Sequence, residues 1–190
     1  FPTRRSSDLQ LSQEAPELRL EVLSLKEQVP YQDLEEGRVD IAIGHFAELQ
    51  GDLFQKELYS EEFVCVCSHS SPLKDKLSLS TFADLKHLIV SPWGGLAGLV
   101  DSMLAEEKKS RSVLFSTPHF LVAPAIIENT DYVVTLPKRL AESLAAQYKI
   151  KVLKHPLPLP KLQIRMLWHE RTQKDPANVW LRNAILESTR

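Results

Sequence analysis

The chain has 190 residues, of which 43% are hydrophobic and 25% are charged, as is ordinary for a globular protein. Its 23 basic and 25 acidic residues leave a net charge of -2, so we expect no clustered positive face that could hold DNA phosphates. No apolar stretch approaches the roughly 18 residues of a membrane-spanning helix, and the start lacks the apolar core of a secretion signal, so we expect a cytoplasmic location.

The first part of the chain predicts a strand, a helix and a strand. The opening FPTRRSSD, residues 1–8, shows no periodicity, and a short helix is expected to end at residues 15–16. Strict alternation predicts a half-buried strand over residues 18–25. A helical turn or two then stops at Gly37, a residue suited to the left-handed cap position, and residues 39–44 follow as a buried strand. Such short connections imply a parallel pair with a right-handed crossover, which indicates the α/β class.

The same alternation continues to the C-terminus. The predicted strands are 58–68, 87–91, 112–116, 132–135, 151–154 and 163–169, and the predicted helices are 82–85, 100–107, 118–128, 137–147 and 179–187.

Two crossings between lobes are expected. The proline-rich residues 154–160 form a stiff connector, and one long strand near residues 62–68 can pass from lobe to lobe. We therefore predict two Rossmann-like lobes joined by a hinge. After the unmatched residues 1–8, lobe I comprises 9–63 and 163–190, and lobe II comprises 64–162.

The two cysteines, Cys65 and Cys67, lie two apart in an apolar run that is typical of a strand, so both should point to the same face. Small core residues are favoured over a disulfide or a metal pair, because free cysteine is so often buried. No metal site and no cofactor are predicted.

Three strings resemble the effector-binding domain of LysR-type transcription regulators: APELRL at 15–20, LEEGRVDIAIG at 34–44 and HSSPL at 69–73. The resemblance implies a fold like the type II periplasmic binding proteins and a non-catalytic, ligand-sensing function. It also implies a homodimer or homotetramer that contacts DNA only through an N-terminal winged helix-turn-helix absent from this sequence. The first strand of the sensing lobe is missing too, and residues 1–8 in its place are hypothesised to be foreign or to come from a truncated reading frame.

A narrower resemblance is to the subgroup that includes the NahR, LinR and NodD regulators. It is carried by TPHFLVAP at 117–124, TDYVVTLP at 130–137, and LWHER at 167–171 with WLR at 180–182. Members of that subgroup respond to aromatic compounds, so the resemblance implies an aromatic effector.

The ligand of a two-lobed α/β protein is expected between the two lobes, where strands end and helices begin. Thr117 is expected to cap a helix that starts at Pro118, which would aim His119 at the cleft from the first turn. His119 could bond a phenol or a carboxylate, or merely satisfy a neighbouring carbonyl. In the loop 91–95, Trp93 could stack on an aromatic ligand or simply close the lobe.

The complete set of predicted ligand-binding residues comes from both lobes. Phe46 could equally be hinge packing, and Thr130 and Asp131 could only cap the preceding helix. The set is Gly44, His45, Phe46, Ser91, Pro92, Trp93, Gly94, Thr117, His119, Phe120, Thr130 and Asp131.

The residues that close the chain are interpreted as structural. Trp168 and Trp180 would cover a core, while Asp175 and Arg182 could form a clamp that docks the last helix. We keep three functional hypotheses: a sensor, a free-standing solute-binding protein, and an enzyme acting on a small aromatic acid. No Gly-x-Ser-x-Gly elbow, His-Glu-x-x-His zinc site or phosphate loop occurs, so no catalytic residue is predicted.

Overall fold

The computed structural model describes residues 15–25, 29–46, 51–92 and 94–189. The chain divides into two compact units: unit 1 is Phe1–Ser60 with Leu162–Arg190, and unit 2 is Glu61–Lys161. Each unit combines helices with a sheet, which confirms the α/β class. Residues 1–8 and the helix predicted before residue 15 lie outside the described part of the chain.

The described elements follow one another in this order: α1 (Tyr31–Glu35), β1 (Ala42–Gly44), β2 (Leu53–Glu61), β3 (Phe63–Ser68), α2 (Leu79–Asp84), β4 (Lys86–Val90), α3 (Leu99–Glu106), β5 (Ser112–Thr117), α4 (Ala123–Ile127), β6 (Val133–Pro137), α5 (Lys138–Ala145), β7 (Ile150–Lys154), β8 (Leu162–His169), a 3-10 turn (Glu170–Thr172) and α6 (Pro176–Ser188). No helix in these described residues is long and apolar enough to span a membrane.

Unit 1 is built on a three-stranded sheet in the order β1-β8-β2, in which β1 runs antiparallel to β8. Its core is a cluster of buried apolar side chains from the sheet, from α1 and from the segment after β1. The members are Leu34, Ala42, Phe46, Leu53 and Leu167.

Gly37 ends α1 as predicted, with φ at 78°. A Cβ at this position would also lie 3.0 Å from the guanidinium carbon of Arg171. That guanidinium donates from Nε to the carbonyl of Leu34, at 2.9 Å. Glycine is therefore favoured here both by the left-handed backbone and by the close approach of Arg171.

The strand predicted over residues 18–25 is wrong. The segment belongs to neither sheet, and Leu20 and Val22 are 52% and 84% exposed. The expected parallel partner, β1, is short and pairs antiparallel with β8 instead. An alternating pattern becomes a strand only when a neighbour accepts its backbone hydrogen bonds, and no described strand does so for this segment.

Unit 2 is built on a five-stranded sheet in the order β5-β4-β6-β3-β7. Strand β4 is parallel to β5 and β6, whereas β3 is antiparallel to β6 and β7. Side chains alternate along β3: Val64 and Val66 join the apolar cluster of α4 and α5, and Cys65 and Cys67 join that of α2 and α3. Both cysteines are thus confirmed as core residues, and both faces of the sheet are covered.

The single strand predicted over residues 58–68 is divided at Glu62 into β2 and β3. The carboxylate of Glu61 accepts the N–H groups of Glu62 at 3.1 Å and Arg139 at 3.2 Å. The carbonyl of Glu62 accepts the N–H of Lys138 at 2.7 Å. The break therefore supplies partners to the first N–H groups of α5, which no side chain on that helix caps.

The remaining predicted strands and helices are present, with ends moved by at most three residues, except the helix predicted over 118–128.

Helix α6 is held by Arg182 stacked on Trp168, and not by the predicted clamp between Asp175 and Arg182. The guanidinium of Arg182 lies 4.2 Å from the centre of the Trp168 ring and donates to the carbonyl of Gln173 at 3.0 Å. Asp175 instead caps α6, because its carboxylate accepts the N–H of Asn178 at 2.8 Å.

Candidate functional site

A cavity of about 150 Å³ lies within unit 2. It is formed by the end of β4, the start of α3 and residues of β3, β6 and the proline-rich connector. Among the described residues that line it, only Arg111 and Thr135 have polar side chains. A cavity of this volume accommodates a single aromatic ring. The apolar walls include Phe63, Leu88, Val90 and Leu159.

Arg111 precedes β5, and its side chain is only 2% exposed. Its guanidinium donates two hydrogen bonds to the carboxylate of Asp101, from Nε at 2.9 Å and from Nη2 at 2.8 Å. Asp101 lies in the first turn of α3 and also accepts the N–H of Gly98 at 2.7 Å. Burial of Asp101 opposes ionisation, but Arg111 and the Gly98 N–H outweigh it and hold the pKa of Asp101 below its usual range.

Thr135 is tied to a buried histidine. Nδ1 of His155 accepts the N–H of Leu157 at 3.1 Å, so the neutral ring carries its proton on Nε2 and donates it to Oγ1 of Thr135 at 3.1 Å. The Thr135 hydroxyl therefore accepts from His155 and keeps its own proton for another partner.

A second buried histidine lies beside the first. Nε2 of His87 donates to the carbonyl of Phe82 at 2.8 Å, while its Nδ1 has no hydrogen-bond partner among the described residues. The Phe82 ring contacts His87 and His155 edge-on, with centroids 4.6 and 4.8 Å away. Burial lowers the pKa of each histidine from 6.5 to about 4, so both are uncharged at neutral pH.

The loop after β4 and the end of β5 bring several predicted residues together. The N–H of Ser91 donates to the carbonyl of Thr117 at 2.9 Å, and its hydroxyl donates to the carbonyl of Gly94. Gly94 has φ at 84°, a conformation that favours glycine. Ser91, Pro92, Gly94 and Thr117 thus lie at the carboxyl ends of two parallel strands, and Trp93 lies outside the described residues.

The helix predicted over 118–128 is present, but its predicted start at Pro118 is wrong. Thr117 ends β5, and its hydroxyl accepts the N–H of His119 at 3.2 Å in a turn. Helix α4 begins only at Ala123. His119 is therefore exposed in a turn and not in a first helical turn, and the half-buried Phe120 packs on the core of unit 2. A threonine hydroxyl can close such a turn in place of capping a helix.

Thr130 and Asp131 lie at the other end of the same sheet. Asp131 forms an ion pair at 2.7 Å with Lys86, the first residue of β4, whereas Ser91 follows the last. A five-residue strand separates these ends by roughly 13 Å. The hydroxyl of Thr130 donates to the carbonyl of Ile126, at 2.9 Å. The structure does not bring these two residues together with Ser91 and Thr117.

The three predicted residues of unit 1 follow one another at the end of β1. Phe46 is 2% exposed and belongs to the core of unit 1, so its ring is packing and not a free contact surface. Nδ1 of His45 donates to the carbonyl of Gln163 at 3.3 Å, and Gly44 is the last residue of β1.

Comparison with known proteins decides the family. The family model described as "LysR substrate binding domain" matches residues 9–190. The chain belongs to this family.

Among curated relatives, this LysR substrate-binding domain is 32% identical to the HTH-type transcriptional activator NagR of Ralstonia sp, over 93% of the chain and 59% of NagR. It is 34% identical to the HTH-type transcriptional activator NahR of Pseudomonas putida, over 82% of the chain and 52% of NahR. The chain therefore spans little more than half the length of these two relatives.

Among solved structures, the regulatory domain of MexT, a transcriptional activator in Pseudomonas aeruginosa, matches with a TM-score of 0.85 at 23% identity. The match covers 99% of this chain and 92% of that one. This likeness confirms the predicted fold class, a two-lobed α/β domain of the periplasmic-binding-protein type.

None of the predicted ligand-binding residues that the structure describes lines the cavity of this LysR domain. Sequence reasoning did not single out Arg111 and Thr135, which the fold brings to the cavity from distant segments. The one local indication was Thr135 itself, a single polar residue within the apolar run VVTL at 133–136. The described residues hold no group of three or more His, Cys, Asp or Glu that could bind a metal ion.

Proposed function

We propose that this chain is the ligand-sensing domain of a LysR-type transcription regulator, and that its effector is a small aromatic compound with a single ring. The observation that carries the proposal is the cavity of about 150 Å³ in unit 2, with its apolar walls and its two polar groups. Apolar walls with a few placed polar groups are the usual design of a small-molecule site. Family membership supports a sensing role.

The connector between the units gives binding a route to a response. Leu159 lines the cavity, and the chain runs on directly into β8 of unit 1. A ligand that contacts Leu159 biases the connector by its differential affinity for the connector's alternative conformations. We propose that this bias alters the geometry of a homodimer or homotetramer, and thereby the spacing of winged helix-turn-helix domains on DNA.

The residues predicted from sequence at the ends of β4 and β5 remain candidate contacts. Ser91 directly follows Val90, which lines the cavity, so a substituent on the ring could reach from the cavity to the loop that contains Ser91, Pro92 and Gly94. We further propose a cytoplasmic location and a sensor that turns over no substrate. Turnover of a binding aromatic compound by the purified chain would contradict this part of the proposal.

The test is a thermal-shift screen of the purified chain against benzoates, salicylates, phenols and flavonoids. A compound that binds only the folded state raises the melting temperature. Val90→Phe fills the cavity and should abolish the shift, whereas Val122→Phe adds the same ring at a 43% exposed position outside the cavity and should leave it unchanged. No shift with any compound, or equal shifts in both variants, would remove the cavity as the effector site.

His119 supplies a separate test of the residues predicted from sequence. If the bound effector extends to the turn after β5, His119→Ala weakens the best compound of the screen. Unchanged affinity removes His119 from the candidate contacts and leaves the cavity itself unaffected, because His119 does not line it.

A further inference from the structure

The charge on the cavity wall is already balanced. Arg111 is the one charged residue among the described residues that line the cavity, and both its Nε and its Nη2 donate to Asp101. His87 and His155, the titratable neighbours that feel the charge of Arg111, are neutral at pH 7. A ligand carboxylate placed here would be an excess anion held against apolar walls, and removing a charge from water without a free partner of opposite charge is disfavoured.

The two polar groups of the wall are both set to donate. The Thr135 hydroxyl accepts from His155, which leaves its own proton free. The third guanidinium nitrogen of Arg111, Nη1, has no hydrogen-bond partner within the described ranges, since its bonds run from Nε and Nη2. A ligand that satisfies these donors must present an acceptor, such as a carbonyl oxygen.

We propose that the cavity of unit 2 selects an uncharged single-ring aromatic compound that carries a hydrogen-bond acceptor, such as an aromatic amide, ester or ketone, over the corresponding ring carboxylate. The inference rests on the proposed function and specifies its ligand class. The ring occupies the space between Phe63, Leu88 and Leu159, and the acceptor faces Arg111 and Thr135.

The experiment compares three probes of similar size on the purified chain at pH 7.5 by calorimetry. Benzamide is uncharged with an acceptor, benzoate is its ionised counterpart, and toluene has no acceptor. We expect benzamide to bind about tenfold more tightly than benzoate, and more tightly than toluene. Benzoate binding as tightly as benzamide, or no binding of benzamide, would overturn the inference. In either case, the proposed function would stand if another compound of the thermal screen raises the melting temperature of the original chain and fails to raise that of Val90→Phe.

Two variants test the cause of the selection. Asp101→Asn leaves the charge of Arg111 unbalanced, so the preference should move about tenfold toward benzoate. Asp131→Asn removes a carboxylate from an exposed ion pair outside the cavity and should leave the preference unchanged. The same ratio in both variants would show that the Arg111 charge balance does not set the ligand class.

Thr135→Val keeps the shape of the side chain and removes the hydroxyl. It tests the inference independently in case Asp101→Asn does not fold. It should weaken benzamide several-fold and leave toluene unchanged, because only benzamide uses the donor. An equal loss for both probes would indicate general damage to the cavity and would count against the inference.

Discussion

Two buried histidines of unit 2 contact the ring of Phe82, and both are uncharged at neutral pH. His87 is fully buried and His155 is 7% exposed, so water cannot solvate a proton on either ring. The positive charge of Arg111 also lowers the pKa of both histidines. Protonation of these rings should therefore destabilise unit 2 as well as change the charge beside its cavity.

We predict that the chain loses stability as the pH falls from about 6.5 to about 4. Burial lowers both histidine pKa values from 6.5 to about 4, so over that window the unfolded chain binds protons that the folded chain excludes. The free energy of unfolding should fall by up to about 3 kcal/mol for each histidine, and the loss is complete below the folded pKa. Urea unfolding between pH 7.5 and pH 4 measures it.

His155→Gln is the control, because carboxylates also titrate near the acid end of this range. The variant lacks one titrating ring, so its free energy of unfolding should depend less on pH between 6.5 and 4. An unchanged dependence would show that His155 does not contribute.

At the scale of single elements, α6 depends on its first residues. The carboxylate of Asp175 accepts the N–H of Asn178 at 2.8 Å, and Pro176 follows at the first helical position. We predict that Asp175→Ala lowers the free energy of unfolding by about 1 kcal/mol, while Asp175→Asn, which also caps well, changes it little. Urea unfolding of both variants decides, and equal losses would mean that the charge of Asp175, and not its cap, is what matters.

The same helix is held to β8 by Arg182. Its planar guanidinium stacks on Trp168 and donates to Gln173, whose amide oxygen also accepts the indole N–H of Trp168 at 2.6 Å. Arg182→Ala should cost about 2 kcal/mol, because both the stack and a buried hydrogen bond are lost. Arg182→Lys should recover only part of that, since an ammonium cannot stack in the same way. Full recovery by lysine would assign the effect to charge alone.

Local sequence patterns predicted elements well where a short-range interaction decides the conformation. Gly37 is an example, because its left-handed cap position depends on a residue type. Residues 18–25 are the counter-example, since their alternation is real but a strand needs a partner from elsewhere in the chain. The turn at Thr117 failed for a third reason: one hydroxyl can cap a helix or close a turn, and the residues around it do not distinguish the two.

At the scale of the whole molecule, the α/β class followed from the order of elements, but the cavity did not. Its walls come from β3, from the end of β4, from the start of α3, from β6 and from the connector at Leu159. No pattern in any one of these segments indicates that Arg111 meets Asp101 beside Thr135. Only the order of strands in the sheet brings them together, and that order is not written in local periodicity.

We predict that unit 2 folds when it is produced alone as Glu61–Lys161. It is one continuous stretch of chain with its own five-stranded sheet and apolar clusters on both faces, whereas unit 1 is made of two stretches. The isolated unit should unfold cooperatively in urea and should bind benzamide, because it contains all the described residues that line the cavity.

An isolated unit 2 that is unfolded by circular dichroism would show that its sheet needs unit 1. A folded unit that no longer responds to a ligand of the full chain would place an essential contact outside Glu61–Lys161.

The two cysteines give this chain a built-in reporter. They are the only thiols in the sequence, and both lie on β3 inside the sheet of unit 2. Burial raises the pKa of Cys65 and of Cys67, so almost no thiolate is available to an alkylating reagent while the sheet is closed. The rate of alkylation therefore reports how often unit 2 opens enough to expose β3. A bound effector should lower that rate, and no label has to be engineered into the protein.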